Sequence, residues 1–365
     1  MNNLWFLFGL TITVVMSLIL TPIIKKIALK YDIVDVPDSR KAHSGKKPYL
    51  GGVVIFISFF IGYFIILPDH PHQIAIIIGA FIILITGLFD DFFNLKPVYK
   101  LIGQASAAIV IIQSGLVIDK ITVPFFGTVY LDNLSVIITL LWIIGVSNAI
   151  NLIDGLDGLA TGVSTIALFS IMLTAIIDYR FAVALICILL IGSNLGFLYF
   201  NFYPAKIFLG DAGALFLGYM IAVISMLGLF KNIAIFSFII PLIILAVPIF
   251  DTVFAIFRRL KRGQSIMSAD RKHIHYQLID KGFSHRGAVL LIYAFSFALG
   301  MLAVSLNYTS AFKASIVMFI LVLLIIHIIA EIVGLVMNGK QPVINMFKKL
   351  FLKSKPNKQK EGPSS

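Results

Sequence analysis

Asn148-Ala-Ile-Asn-Leu-Ile-Asp-Gly-Leu-Asp-Gly-Leu-Ala160 places two amides and two carboxylates between long apolar runs. On a helix, Asn148, Asn151 and Asp154 recur every third residue, and Asp157 lies one step further on the same face. Carboxylates beside a bilayer are costly to keep and are generally functional. Gly155 and Gly158 lack Cβ atoms, so a ligand or a neighbouring helix can approach the backbone beside the carboxylates. A polar cap joining two hydrophobic helices would account for one such stretch. Four other polar segments accompany it, which favours a site.

Hydrophobic residues make up 59% of the 365 positions and charged residues 13%, against about 45–50% and about 25% in soluble domains. The chain reads as an all-α polytopic membrane protein. Apolar runs near the roughly 20 residues needed to cross a bilayer predict a bundle of about eleven helices, over 4–24, 50–67, 74–89, 99–113, 134–150, 160–177, 181–200, 213–230, 233–257, 288–306 and 313–337. The first run has no basic segment before it and no small-residue cleavage site after it, so it is expected to be an uncleaved helix. Residues 1–338 form the membrane domain, and the lysine-rich 339–365 a disordered cytoplasmic tail. Between the fourth and fifth helices, 116–124 and 128–132 flank Phe126-Gly127 and predict a short external β-hairpin.

A net charge of +12 raises the question of nucleic acid, but in a membrane protein the placement of Lys and Arg matters more than their sum. With the N-terminus outside, 25 of the 29 Lys and Arg fall on inner segments, leaving only Lys120, Arg180, Lys231 and Lys313 outside. The positive-inside rule then puts the C-terminus in the cytoplasm. The same assignment brings Asp90, Asp91, Asp154, Asp157, Asp211, Asp270, His273 and His275 to the cytoplasmic face. Clustering at one face argues against an ion-coupled transporter, whose ionisable groups line a path near mid-bilayer. A single Cys187 within an apolar run excludes a disulfide framework and a thiolate metal site.

Each polar segment suggests a piece of phosphate chemistry. Arg40, Lys41, His43, Lys46 and Lys47 precede Gly51-Gly52, and cations beside an open backbone suit a pyrophosphate. Asp90 and Asp91 end the third helix, where the dipole is unfavourable and the two repel, so a cation is required; a divalent metal or Lys96 could supply it. Asp211, between Gly210 and Ala212, suits an N-cap or a hard-cation ligand. In the long loop 258–287, His273 and His275 share a face of an extended backbone and, with Arg271 and Lys272, can hold a phosphorylated ligand. Hard Asp oxygens without a Cys partner suit Mg2+ better than Zn2+. Asp251, about 10 Å below the boundary, should face the bundle interior. Phosphate-binding cations, aspartates for Mg2+ and a bilayer location together imply phosphoryl-group transfer with one lipid partner.

Six motifs in order, Pro37-Asp-Ser-Arg-Lys-Ala-His43, Gly51-Gly52, Asp90-Asp91, Asn148 to Ala160, Phe208-Leu-Gly-Asp-Ala-Gly213 and Asp270-Arg-Lys-His-Ile-His275, resemble those of the polyprenyl-phosphate N-acetylhexosamine-1-phosphate transferases. The resemblance implies Mg2+-dependent transfer of a sugar 1-phosphate from a UDP-sugar to undecaprenyl phosphate, with Mn2+ as a substitute metal, no nucleic acid, and a cytoplasmic-face site compatible with a homodimer. His273-Ile-His275 looks like the branch that uses UDP-N-acetylglucosamine, which starts wall teichoic acid, O-antigen or enterobacterial common antigen, with wall teichoic acid preferred, rather than the phospho-MurNAc-pentapeptide translocases with three successive histidines. By resemblance Asp211 is the chief metal ligand, with Asp154 beside it. Asp90 or Asp91 orients the lipid phosphate, Asp154, Asp157, Asn148 and Asn151 hold the metal-pyrophosphate or nucleotide, His273 and His275 hold the sugar-phosphate side, and Lys47 and Lys96 contact phosphate. A covalent aspartyl-phosphoryl intermediate is the rival mechanism.

Overall fold

The structure is a computed structural model that describes residues 3–35, 47–123, 127–228, 239–265 and 273–308, together with Ile316 and Ile320. The helices below belong to the unit Met1–Thr309. In chain order they are α1 (Asn3–Lys30), α2 (Gly51–Ile66), α3 (Gln73–Phe93), α4 (Pro97–Gln113), α5 (Leu134–Ile153), α6 (Leu159–Ile177), α7 (Phe181–Asn201), α8 (Gly210–Gly228), α9 (Ile239–Ile244), α10 (Ala246–Lys261), α11 (Ile274–Asp280) and α12 (His285–Tyr308). Seven of the described helices are long and apolar enough to cross a membrane, and α2 and α4 are shorter apolar helices. The protein is a multi-pass membrane protein.

Consecutive helices run up and down. The C-terminal ends of α1, α3, α5 and α7 therefore meet the N-terminal ends of α2, α4, α6 and α8 at one end of the bundle. At the centre is α8, 89% of whose apolar window is buried, whereas only 28% of that of α1 is. Without a hydrophobic drive between helices in lipid, close packing of small residues does the joining. Gly52 lies directly against the backbone of Gly213, Gly87 against Ala212, and Gly218 against Ser147, which bring α2, α3 and α5 onto α8. On the other flank Ser17 Oγ donates to Ser193 O at 2.8 Å, tying α1 to α7.

Nine expected spans fall on single helices, and the eleventh, 313–337, lies outside the described residues except for Ile316 and Ile320. The ninth, 233–257, is instead broken into α9 and α10 at Leu245. Pro248 is the reason: its ring clashes with the carbonyl of residue 244, where α9 ends, and it has no N–H to continue the ladder. The loop expected over 258–287 likewise contains the end of α10 and all of α11.

The expected hairpin is present at the end of the bundle away from Asp90. Strand β3 (Lys120–Val123) pairs antiparallel with β4 (Gly127–Tyr130), with Lys120 opposite Tyr130. A second antiparallel pair, Val34–Asp35 with Lys47–Pro48, was not expected. It flanks residues 36–46, so Arg40, Lys41, His43 and Lys46 lie outside the described residues.

Candidate active site

The helix stripe over 148–157 is only half formed. Asn148 and Asn151 lie on α5, but the helix ends at Ile153, Asp154 is its C-cap, and Asp157 stands in the turn before α6. Gly158 at φ +78° makes that turn, a conformation disfavoured for side chains with Cβ. Gly155 is not left open to a ligand, because the His275 ring fills the space where a Cβ would stand. Gly51 and Gly52 are also closed to phosphate: their N–H groups donate to Phe208 O and Leu209 O at 3.0 and 2.8 Å.

Asp91 and Asp90 divide two tasks. Asp91 accepts the backbone N–H of Asp211 at 2.8 Å and of Ala212 at 3.1 Å, capping α8 from the end of α3. The positive N-terminal dipole of α8 thereby supplies the compensation that the α3 C-terminus lacks. Gly210, at φ +76°, permits this approach, since a Cβ there would collide with the Tyr49 carbonyl. Asp90 is buried, accepts Leu95 N–H at 3.0 Å, and forms an ion pair with Lys100.

Lys100 Nζ also lies 3.4 Å from Asp211 Oδ2, so one ammonium is shared by two carboxylates. Asn151 Nδ2 donates to the other oxygen, Asp211 Oδ1. The cation at the third-helix terminus is thus Lys100 and not Lys96, which stands exposed at the N-cap of α4. Pro97 at the first helical position was the available signal, because it starts α4 early enough to turn Lys100 inward.

Asp154 accepts no hydrogen bond from a described residue. Burial, and then the charges of Asp211, Asp91 and Asp157, hold its carboxyl well above the usual carboxylate range. Asp157 Oδ2 accepts Ala205 N–H at 2.8 Å and lies 3.8 Å from Lys47 Nζ, while its own N–H donates to His285 Nε2 at 3.0 Å. Lys47 sits over the Phe208 ring, 5.0 Å from its centroid. Asn148 is committed to α4: it exchanges hydrogen bonds with Gln104.

Asp251, buried as expected, holds the histidine segment. Its Oδ2 pairs with His273 Nδ1 at 2.8 Å and its Oδ1 accepts Ile274 N–H at 2.9 Å, fixing the start of α11. The His273 and His275 rings are parallel within 4°, their centroids 5.8 Å apart. Burial pushes the His275 imidazole down to about 4, so it is neutral at pH 7, and neither ring nitrogen has a hydrogen-bond partner among the described residues. Asp270, Arg271 and Lys272 lie outside the described residues.

The carboxylates suit a hard divalent ion. Lys100 marks a cation position between Asp90 and Asp211, and Asp154 carries excess negative surroundings. Among the described residues, no three acidic, His or Cys side chains form a ready cluster. Asp211 with Asp90 or Asp154 could therefore supply at most two protein carboxylates to such an ion, the remaining positions being left to water or a ligand.

An apolar bundle with acidic and basic side chains gathered at one end defines a multi-pass membrane protein with a polar candidate site at the boundary. Residues 73–229 match the family model described as Glycosyl transferase family 4. A Bacillus subtilis protein named as a probable undecaprenyl-phosphate N-acetylglucosaminyl 1-phosphate transferase is 43% identical over 335 residues, covering 91% of this chain and 93% of that protein. The chain belongs to glycosyl transferase family 4 and is a glycosyl-1-phosphate transferase. More distant relatives are the decaprenyl-phosphate N-acetylglucosaminephosphotransferase of Mycolicibacterium smegmatis, 31% identical over 79% of this chain and 78% of that protein, and the undecaprenyl-phosphate alpha-N-acetylglucosaminyl 1-phosphate transferase of Escherichia coli, 29% identical over 82% and 83%.

Proposed function

We propose that the chain transfers N-acetylglucosamine 1-phosphate from UDP-N-acetylglucosamine to undecaprenyl phosphate, forming undecaprenyl-diphosphate-N-acetylglucosamine and UMP. The observation that carries this reading is the Lys100 ammonium shared between Asp90 and Asp211, which sets a phosphate-binding cation beside carboxylates suited to the divalent ion a phosphate would bring with it. The relatives' names support the acceptor and the sugar.

The lipid phosphate oxygen attacks the β-phosphorus of the donor, a new anhydride forms, and the electron pair of the broken P–O bond leaves with UMP. A phosphate monoester with a second pKa near 6 is already mostly ionised at pH 7. The barrier is repulsion and alignment rather than proton removal. Lys100 contacts the lipid phosphate beside Asp211, Asn151 sets the Asp211 oxygens, and Lys47 with Phe208 receives the nucleotide. His273 and neutral His275 bound the sugar. Asp211, with Asp90 or Asp154, would hold Mg2+, which when bound offsets pyrophosphate charge.

The inner-leaflet excess of Lys and Arg supports a cytoplasmic site with the N-terminus outside. The His273-Ile-His275 pattern supports the branch that uses UDP-N-acetylglucosamine, and within that branch wall teichoic acid is the polymer proposed. The test is UMP release by the purified protein given undecaprenyl phosphate, Mg2+ and a panel of UDP-sugars. Release with UDP-N-acetylglucosamine alone supports the reading. Silence with every donor overturns it.

A further inference from the structure

One helical turn deeper than the reaction site, α4 and α5 are joined by a reciprocal amide pair that the chemistry itself does not use. Gln104 Nε2 donates to Asn148 Oδ1 at 3.2 Å, and Asn148 Nδ2 donates to Gln104 Oε1 at 2.8 Å. The remaining Asn148 N–H goes to Ile144 O at 2.8 Å. Gln104 is fully buried. Burying a primary amide among apolar helices is unfavourable unless its donors and acceptors are met, and apolar side chains would pack the helices as well. Such a pair specifies register more than it adds stability.

The register matters because of what lies one turn away. Gln104 follows Lys100 by four residues on α4, and Asn148 precedes Asn151 by three on α5, so each amide shares a face with a site residue. Lys100 approaches Asp211 Oδ2 at 3.4 Å, and Asn151 donates to Asp211 Oδ1. One carboxylate is therefore gripped at its two oxygens by two helices, and those helices are clasped to each other directly below.

We propose that the Gln104–Asn148 clasp is a positioning device that sets α4 against α5 so that Lys100 and Asn151 hold opposite oxygens of Asp211 during transfer. This rests on Asp211 being the centre of the reaction described under Proposed function. Neither amide touches the reacting phosphates. Loss of the clasp would let Lys100 and Asn151 shift relative to each other, leaving the donor and nucleotide contacts in place.

The experiment compares the full-length wild type with Gln104→Leu, Asn148→Leu and the exchanged double variant Gln104→Asn with Asn148→Gln, which restores an amide opposite an amide. UMP release is measured against both substrates, and thermal unfolding is followed on the same samples. Each leucine variant should lose about 10- to 100-fold in kcat, the scale of a sub-ångström to 1 Å misplacement. KM for the UDP-sugar should stay within about threefold, and the melting temperature should fall only by the few degrees that one orphaned buried amide costs, too little to explain the loss of kcat. The exchanged variant should recover kcat to within about threefold of wild type. Leucine variants with wild-type kcat, activity losses that merely follow melting temperature, or an exchanged variant no better than the single ones would each overturn the clasp. Should a leucine variant fail to fold, the exchanged variant still decides. A silent wild type would instead overturn the reaction assignment itself.

Discussion

The carboxylate of Asp91 caps the helix that carries Asp211, accepting the Asp211 and Ala212 N–H groups at 2.8 and 3.1 Å. Two adjacent aspartates thus work through different parts of one structure. Asp90 meets the shared ammonium directly, and Asp91 aims the helix that presents Asp211 to it.

Removing the cap should reorient Asp211 without emptying the site. Asp91→Ala should cost about 1–2 kcal/mol of stability, typical of a lost N-cap, and lower kcat at least tenfold, while Asp91→Asn, which keeps one acceptor oxygen, should lie between Ala and wild type. Thermal unfolding in detergent and UMP release check both effects.

Lys100→Met should be more damaging. It leaves Asp90, only 3% exposed, without its counter-charge, a loss on the order of 3 kcal/mol for a broken buried pair. UMP release should fall by more than about a hundredfold, as expected when charge stabilisation at the reacting phosphate is removed. Lys100→Arg should recover stability more than activity, because a planar fork does not reproduce a point charge between two carboxylates.

His275 predicts a pH dependence of stability. Its folded pKa, about 4, lies below the ordinary value of 6.5 because burial disfavours the cation. The unfolded chain therefore takes up the proton first as pH falls. The stability linked to this group is fully present above pH 6.5 and is lost between there and pH 4, by about 3 kcal/mol at most. His275→Gln should flatten that part of the curve, which unfolding measured at pH 7.5 and pH 5 would reveal.

Two glycines should respond differently to alanine. At Gly52 the added methyl meets the Gly213 backbone, which cannot move aside, so the α2–α8 contact should open at a cost of about 1–3 kcal/mol or more. At Gly155 the methyl meets the His275 ring. Because a side chain can rotate away, Gly155→Ala should remain folded and lose turnover. Melting temperature and UMP release separate the two outcomes.

Most span placement, the hairpin and the gathering of aspartates at one end were legible in the sequence, because bilayer thickness and backbone satisfaction leave few ways to arrange such apolar runs; Gly51 and Gly52 were not, since they pack against the start of α8 instead of standing open to phosphate. Pro248 also carried a readable break that hydropathy alone passes over. Which partner each polar group takes was not legible. Lys100 and Lys96 are equivalent as loop charges until the start of α4 turns one inward, and Asp90 and Asp91 are indistinguishable until α8 arrives opposite one of them. Asn148 likewise shares its stripe with Asn151, yet only packing against α4 commits it to Gln104. Local pattern records the free-energy cost of placing a polar group beside lipid. The group that offsets this cost comes from a helix distant in sequence, so only the tertiary structure decides it.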